Sequence, residues 1–173
     1  MHNTFTSSIE TPIGKLTIVA DDGFVFEISF NDRLENELTD DSEDFESEPK
    51  CPNRPTTIAA EQLIAYFAGT RTSFTFPIKQ RGTDFQQEVW QKLLEIPFGQ
   101  TTSYAKFSSH NPLAIRAIAA ANGKNNLAIV IPCHRVIGSN GKLIGYAGGL
   151  WRKQWLLQHE INIAQVGQSE LEF

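Results

Sequence analysis

This sequence is poor in the residues that hold metals and staple folds. Its 173 residues include two cysteines, Cys51 and Cys133, and four histidines, His2, His110, His134 and His159. None has the short paired spacing of a metal site, so no metal is expected. One cysteine stands in an acidic polar stretch and the other follows an apolar run, which argues against a stapling disulfide. No stretch approaches the roughly 20 apolar residues of a membrane span, and Met1 to Ser7 lack a basic region followed by an apolar core. A cytoplasmic chain without a membrane partner is expected.

Acidic residues are scarce in the second half. Residues 1–80 carry 6 Lys+Arg against 14 Asp+Glu, a balance of −8, whereas residues 81–173 carry 9 against 6, a balance of +3. Nine of the carboxylates crowd between Asp32 and Glu48 around the single Arg33. A phosphate-bearing partner would therefore meet the second half, because Lys and Arg supply nucleic-acid affinity by neutralising phosphates. A solvated basic face without a ligand would give the same balance.

Residues 4–30 read as three strands, Phe5 to Ile9, Gly14 to Val19 and Phe24 to Phe30. The separator Asp21, Asp22, Gly23 predicts a hairpin turn using the positive φ that glycine tolerates. The segment 31–52 is too charged to be buried and reads as a loop. From Pro55 to Ala68 the spacing predicts a helix burying Ile58, Leu63, Ile64 and Phe67 and stopping at Gly69, and Thr72 to Ile78 reads as a further strand or an extended link to the second half.

A boundary near residue 80 divides the chain into 1–80 and 81–173. In the second part Asp84 is a candidate cap for a helix with Phe85, Val89, Leu93 and Ile96 at core spacing. A short helix is expected after Thr102 or Ser103. Another is expected from Pro112, with Asn111 as N-cap, to a stop at Asn122 and Gly123. Two helices so joined make a helix-turn-helix candidate. The second is almost all alanine around Arg116, which suits either tight helix packing or a small face laid against a nucleic-acid groove.

The most informative stretch is the apolar run Ile129, Val130, Ile131, which ends in Pro132, Cys133, His134 and Arg135. A thiol beside an imidazole and a guanidinium is the composition of an activated cysteine, whose pKa neighbouring cations lower. This motif, followed by Gly145 to Gly149 and by Trp155 to Glu160, resembles the O6-alkylguanine-DNA alkyltransferase family. Phe85 to Trp90, Ile96 to Gly99 and Thr102 to Tyr104 extend the resemblance, which runs from about Thr83 through Glu160.

The resemblance implies an N-terminal α/β domain with a ribonuclease H-like sheet, followed by a mainly α domain with a winged-helix-like helix-turn-helix. It implies a monomer, without cofactor, that flips a damaged nucleotide out of double-stranded DNA. The alkyl group of O6-alkylguanine then passes to Cys133, once per molecule, with O4-alkylthymine as a second candidate substrate. Residue by residue, it implies Cys133 as acceptor, His134 as its base through a water, and Glu160 as the group orienting the imidazole. Asn125 would brace the turn before the site, Tyr146 would donate to the departing guanine, and Lys153 would be a supporting cation. Backbone groups of Cys133, Val136 and Ala147 would read the base edge. On the DNA side the resemblance points to Tyr104, which crowds a phosphate, and to Arg116, which fills the gap left by the flipped base. Ala117, Gly123 and Arg135 join them, with Arg135 also readable as a structural brace. The chain is shorter than usual for the family between Tyr104 and Arg116, which implies a clipped first helix.

Two other classes fit parts of this pattern. A non-catalytic lesion-binding protein would lack the acceptor cysteine. A cysteine-based hydrolase or redox sensor would use Cys133 and His134 but leave Tyr104 and Arg116 unexplained.

Overall fold

In a computed structural model of the protein, residues 3–31 and 51–169 are described, with side chains up to residue 165. The expected acidic loop at 31–52 lies almost wholly outside these residues. The chain forms two compact units that divide between Gln80 and Arg81.

The first unit is built on three antiparallel strands in the order β1 (Phe5–Thr11), β2 (Gly14–Ala20) and β3 (Val25–Phe30). Alternation places Leu16, Ile18 and Ala20 of β2 on one buried face with Ile9, Val25, Ile28 and Phe30. Ile9 pairs with Leu16 and Ile18 with Ile28. The turn before β3 is made differently from the expectation. Gly23 is not among the left-handed residues; instead Asp21 Oδ1 accepts the N–H groups of Gly23 (2.8 Å) and Phe24 (2.7 Å). Helix α1 (Arg54–Phe67) starts at a capping box between Asn53 and Thr56, and Asn53 Nδ2 also donates to Asp21 O at 2.9 Å. Its buried stripe is Thr56, Ala59, Leu63 and Tyr66, whereas Ile64 is 54% exposed. Predicted from large apolar residues alone, the stripe missed that Thr56 and Ala59 face the sheet. The extended segment after α1 bridges Ile78 to Val25 of β3.

The second unit opens with α2 (Asp84–Leu93). Its cap is Thr83, not Asp84: Thr83 Oγ1 accepts from Gln86 N at 3.2 Å while Gln86 Oε1 accepts from Thr83 N at 2.9 Å. The reciprocal pair satisfies two free amides, which Asp84 one residue later cannot do. Val89, Trp90 and Leu93 are buried and Phe85 is 38% exposed. After β4 (Thr102–Ser103) comes α3 (Tyr104–Phe107), a single turn, in keeping with a clipped first helix. Asn111 makes no side-chain cap bond. Pro112–Ala114 is a 3-10 turn, and the second helix of the pair, α4 (Ile115–Gly123), begins after it. Trp90 Nε1 donates to Ala121 O at 2.9 Å and joins α2 to α4. A second 3-10 turn (Cys133–Arg135) leads into β5 (Val136–Ile137), which pairs in parallel with β4. The chain closes with α5 (Leu150–Ser169). No helix among the described residues is long and apolar enough to cross a membrane.

Candidate active site

The apolar run before Cys133 is folded into a strained turn. Ile129 is the one non-glycine residue with positive φ, +72°, among those described. A β-branched residue adopts that conformation only where its surroundings enforce it. Asn125 is the enforcing group. Its Oδ1 accepts from Leu127 N at 3.0 Å and its Nδ2 donates to Ile131 O at 2.9 Å, so one amide spans the turn. Cys133 follows, with its N–H on Ile131 O at 2.8 Å.

Cys133, His134 and Arg135 are all buried. His134 Nε2 stands 2.7 Å from Glu160 Oε1 of α5. Arg135 grips the same carboxylate twice, Nε to Oε2 at 2.8 Å and Nη2 to Oε1 at 3.0 Å, and donates Nη1 to Ile96 O at 2.7 Å. Gly99 N adds a longer bond to Oε2 at 3.3 Å. Gly99 has φ +75°, and a Cβ there would lie 2.6 Å from the Ala164 Cβ. Only glycine brings this loop close enough to α5.

Arg135 is thereby corrected as a DNA contact. It is 7% exposed, and all three guanidinium nitrogens donate inside the protein.

The electrostatics follow from burial. Burial alone would raise the Glu160 pKa, but the hydrogen bonds from His134 and Arg135 and the Arg135 charge outweigh it and hold the carboxyl well below the usual range. Burial lowers the His134 pKa against the pull of Glu160, so the imidazole is neutral. Facing a carboxylate, Nε2 carries the proton. Nδ1, buried and without a hydrogen-bond partner, keeps its lone pair. Burial also pushes the Cys133 thiol up, countered in part by the Asn125 hydrogen bond and the Lys153 charge. The expected lowered pKa is therefore overturned. The guanidinium that was to lower it is neutralised by Glu160, and desolvation dominates.

Lys153 is buried and donates to Val136 O at 2.7 Å, Ile144 O at 2.9 Å and Gly145 O at 3.2 Å. It ties the segment before Tyr146 to β5. Tyr146 has a buried hydroxyl without a partner, and burial raises its pKa well above the ordinary value. Ala147 is exposed. Val136 is less available than expected. Its N–H donates to Cys133 O and its carbonyl accepts from Lys153, leaving one lone pair for a base.

On the outer side of the helix pair, Leu113, Arg116, Ala117, Ala120 and Gly123 are exposed, while Ile118, Ala121 and Asn122 are buried. A Cβ on Gly123 would meet nothing within 4 Å. Tyr104 is half-buried, and its hydroxyl accepts from Asn122 Nδ2 at 2.8 Å. Asn122 was not among the expected site residues; its sequence signal, an Asn-Gly pair, reads as a helix stop.

Comparison with known proteins places this architecture. Residues 4–80 match the ribonuclease-like domain of 6-O-methylguanine DNA methyltransferase, and residues 84–162 match its DNA-binding domain. The methylated-DNA--protein-cysteine methyltransferase of Mycobacterium bovis is 54% identical over 104 residues, a segment covering 59% of this chain and 63% of that protein. The protein of the same name from Mycolicibacterium paratuberculosis is 43% identical over 155 residues, covering 88% of this chain and 90% of its own. The crystal structure of Mycobacterium tuberculosis OGT in complex with DNA superposes with a TM-score of 0.76 at 40% identity, covering 92% of this chain and 94% of that one. With a ribonuclease-like sheet domain leading into a helical DNA-binding domain that carries the buried Cys133, His134 and Glu160, the chain belongs to the 6-O-methylguanine DNA methyltransferase family.

Proposed function

We propose that this protein repairs double-stranded DNA by moving the alkyl group of O6-alkylguanine onto Cys133, one transfer per molecule. The observation that carries the reading is the buried chain from Glu160 to His134, the residue that follows the cysteine, whose Nδ1 lone pair is unpartnered. In this reading His134 Nδ1 takes the thiol proton through a water, and Glu160 stabilises the resulting imidazolium. Cys133 Sγ attacks the alkyl carbon in line. The S–C bond forms as the C–O6 bond breaks, and the electron pair leaves on guanine. The free Tyr146 hydroxyl donates to the departing base, and Ala147 with the remaining lone pair of the Val136 carbonyl meets its edge, the Cys133 backbone groups being engaged within the protein. Lys153 holds the segment that carries Tyr146, and Asn125 braces the acceptor turn.

A base within the stack cannot reach a buried thiol, so the nucleotide must be flipped. Arg116, on the exposed stripe of α4, fills the gap, while Tyr104 crowds the neighbouring phosphate. Ala117 and Gly123 let the duplex approach the helix. An open space beside Gly123, where an added Cβ would meet no described atom within 4 Å, supports this. Cys51 is an exposed free thiol, which suits the reducing cytoplasm, and we infer that compartment.

The test is intact and peptide mass spectrometry after mixing the protein with one equivalent of duplex bearing a single O6-methylguanine. One methyl group on Cys133, guanine restored in the DNA, and loss of both in Cys133→Ser with lesion binding kept are expected. An unmodified protein that binds the lesion would make it a damage-binding protein instead.

A further inference from the structure

Resting on that function, we propose that Asn122 is a positioning residue that couples the DNA-facing Tyr104 to the backbone of the acceptor cysteine.

Asn122 occupies the last turn of α4 and is 6% exposed. Its Nδ2 lies 2.8 Å from Tyr104 Oη and 3.5 Å from Cys133 O. Tyr104 is the first residue of α3, with Ser103 as its cap, so this one amide meets the start of the first helix, the end of the second and the active-site turn. The two acceptors fix its orientation. The Cys133 carbonyl can only accept, and a flipped amide would set Oδ1 against it. Because Nδ2 donates to Tyr104 Oη, the tyrosine's own proton is directed away from Asn122 and is available to another acceptor.

The arrangement is poorly explained by packing. Asn122 Oδ1 is buried with no partner, so the side chain is retained despite a desolvated, unsatisfied oxygen. An apolar residue of the same size would fill the space without that cost. What the amide adds is a connection. When Tyr104 engages the backbone beside a lesion, any shift of its hydroxyl is passed through Asn122 to the carbonyl of Cys133.

The experiment measures transfer rates for the wild type, Asn122→Ala, Asn122→Asp, Tyr104→Phe and the Asn122→Ala/Tyr104→Phe pair. The substrates are duplex O6-methylguanine and the free O6-methylguanine base, with thermal unfolding followed in parallel. Each Asn122 variant should slow duplex transfer about tenfold and the free-base reaction at most about threefold, as expected when reacting groups are slightly misplaced. The isosteric Asp variant covers the case in which Ala fails to fold. The double variant should be no slower on duplex than either single change, because both remove the same link. Multiplying slowdowns, equal losses on both substrates, or a wild-type rate in Asn122→Asp would overturn the coupling. A wild type that transfers to neither substrate would instead remove the function on which the coupling rests.

Discussion

Glu160 and Arg135 meet fork to fork, at 2.8 and 3.0 Å, in a place where the carboxylate is 1% exposed. His134 shares one of the same oxygens, so a single buried anion sets the orientation of the imidazole and neutralises the guanidinium. The Arg135 guanidinium is therefore neutralised, and the cation whose charge still acts on the thiol is Lys153, held by three backbone carbonyls.

Glu160→Gln should destabilise the fold and slow transfer. An amide offers one acceptor and turns its NH2 toward a donor, leaving Arg135 buried and unpaired, a loss of about 3–5 kcal/mol. Urea unfolding checks this. The depressed carboxyl stabilises the fold above the unfolded glutamate pKa of about 4.3, and that contribution fades as pH falls toward the folded value. The gap between wild type and variant should shrink below about pH 4. A constant gap would mean that the carboxylate charge is irrelevant.

The pH dependence of transfer should report a thiol and a neutral imidazole. With Cys133 raised and His134 lowered by burial, the reactive pair is present between the two pKa values. The rate with free O6-methylguanine should stay flat near neutrality and fall only well below about pH 6.5, the ordinary histidine value. In His134→Asn the rate should be about 100-fold lower and still rising past about pH 8.5, because it then follows the thiolate alone. A wild-type rate that climbs steadily from pH 7 would contradict a base at His134.

Lys153→Met keeps the apolar stem and removes the ammonium. Three carbonyls, of Val136, Ile144 and Gly145, then lose their donor. The expected cost is about 2 kcal/mol or more in unfolding free energy. The segment leading to Tyr146 should loosen, seen as faster amide hydrogen exchange there than in α2. Unchanged exchange with a slower reaction would assign Lys153 to charge alone.

Cys133, His134 and Arg135 were legible as the composition of a reactive cysteine because they are consecutive, whereas Asn125, Tyr146, Lys153 and Glu160 were reached only through the family resemblance. Helix starts were less legible. Thr83 and Asp84 are both good caps, and only the reach of Gln86 back to Thr83 decides between them. The α1 stripe was misread because burial there follows the sheet it covers, so small Ala59 is buried while Ile64 is not. The roles of Arg135 and Asn122 depend on Glu160 in α5 and Tyr104 in α3, distances that spacing does not encode. The sign of the Cys133 shift depends on desolvation, which a list of neighbouring charges leaves out.

Arg116→Ala tests the outer face of α4. Arg116 is exposed in a row with Ala117, Ala120 and Gly123, so its removal should leave the fold within about 0.5 kcal/mol of wild type. If it fills the space of a flipped nucleotide, duplex transfer should fall steeply while reaction with the free base is kept, since the free base needs no flipping. Loss of one phosphate-type contact alone would instead weaken lesion and undamaged DNA equally and lower the salt slope by about one. Binding measured at several salt concentrations, alongside single-turnover rates on both substrates, separates these outcomes. Equal slowing on duplex and free base would mean that Arg116 supports the fold of the site rather than the opening of the duplex.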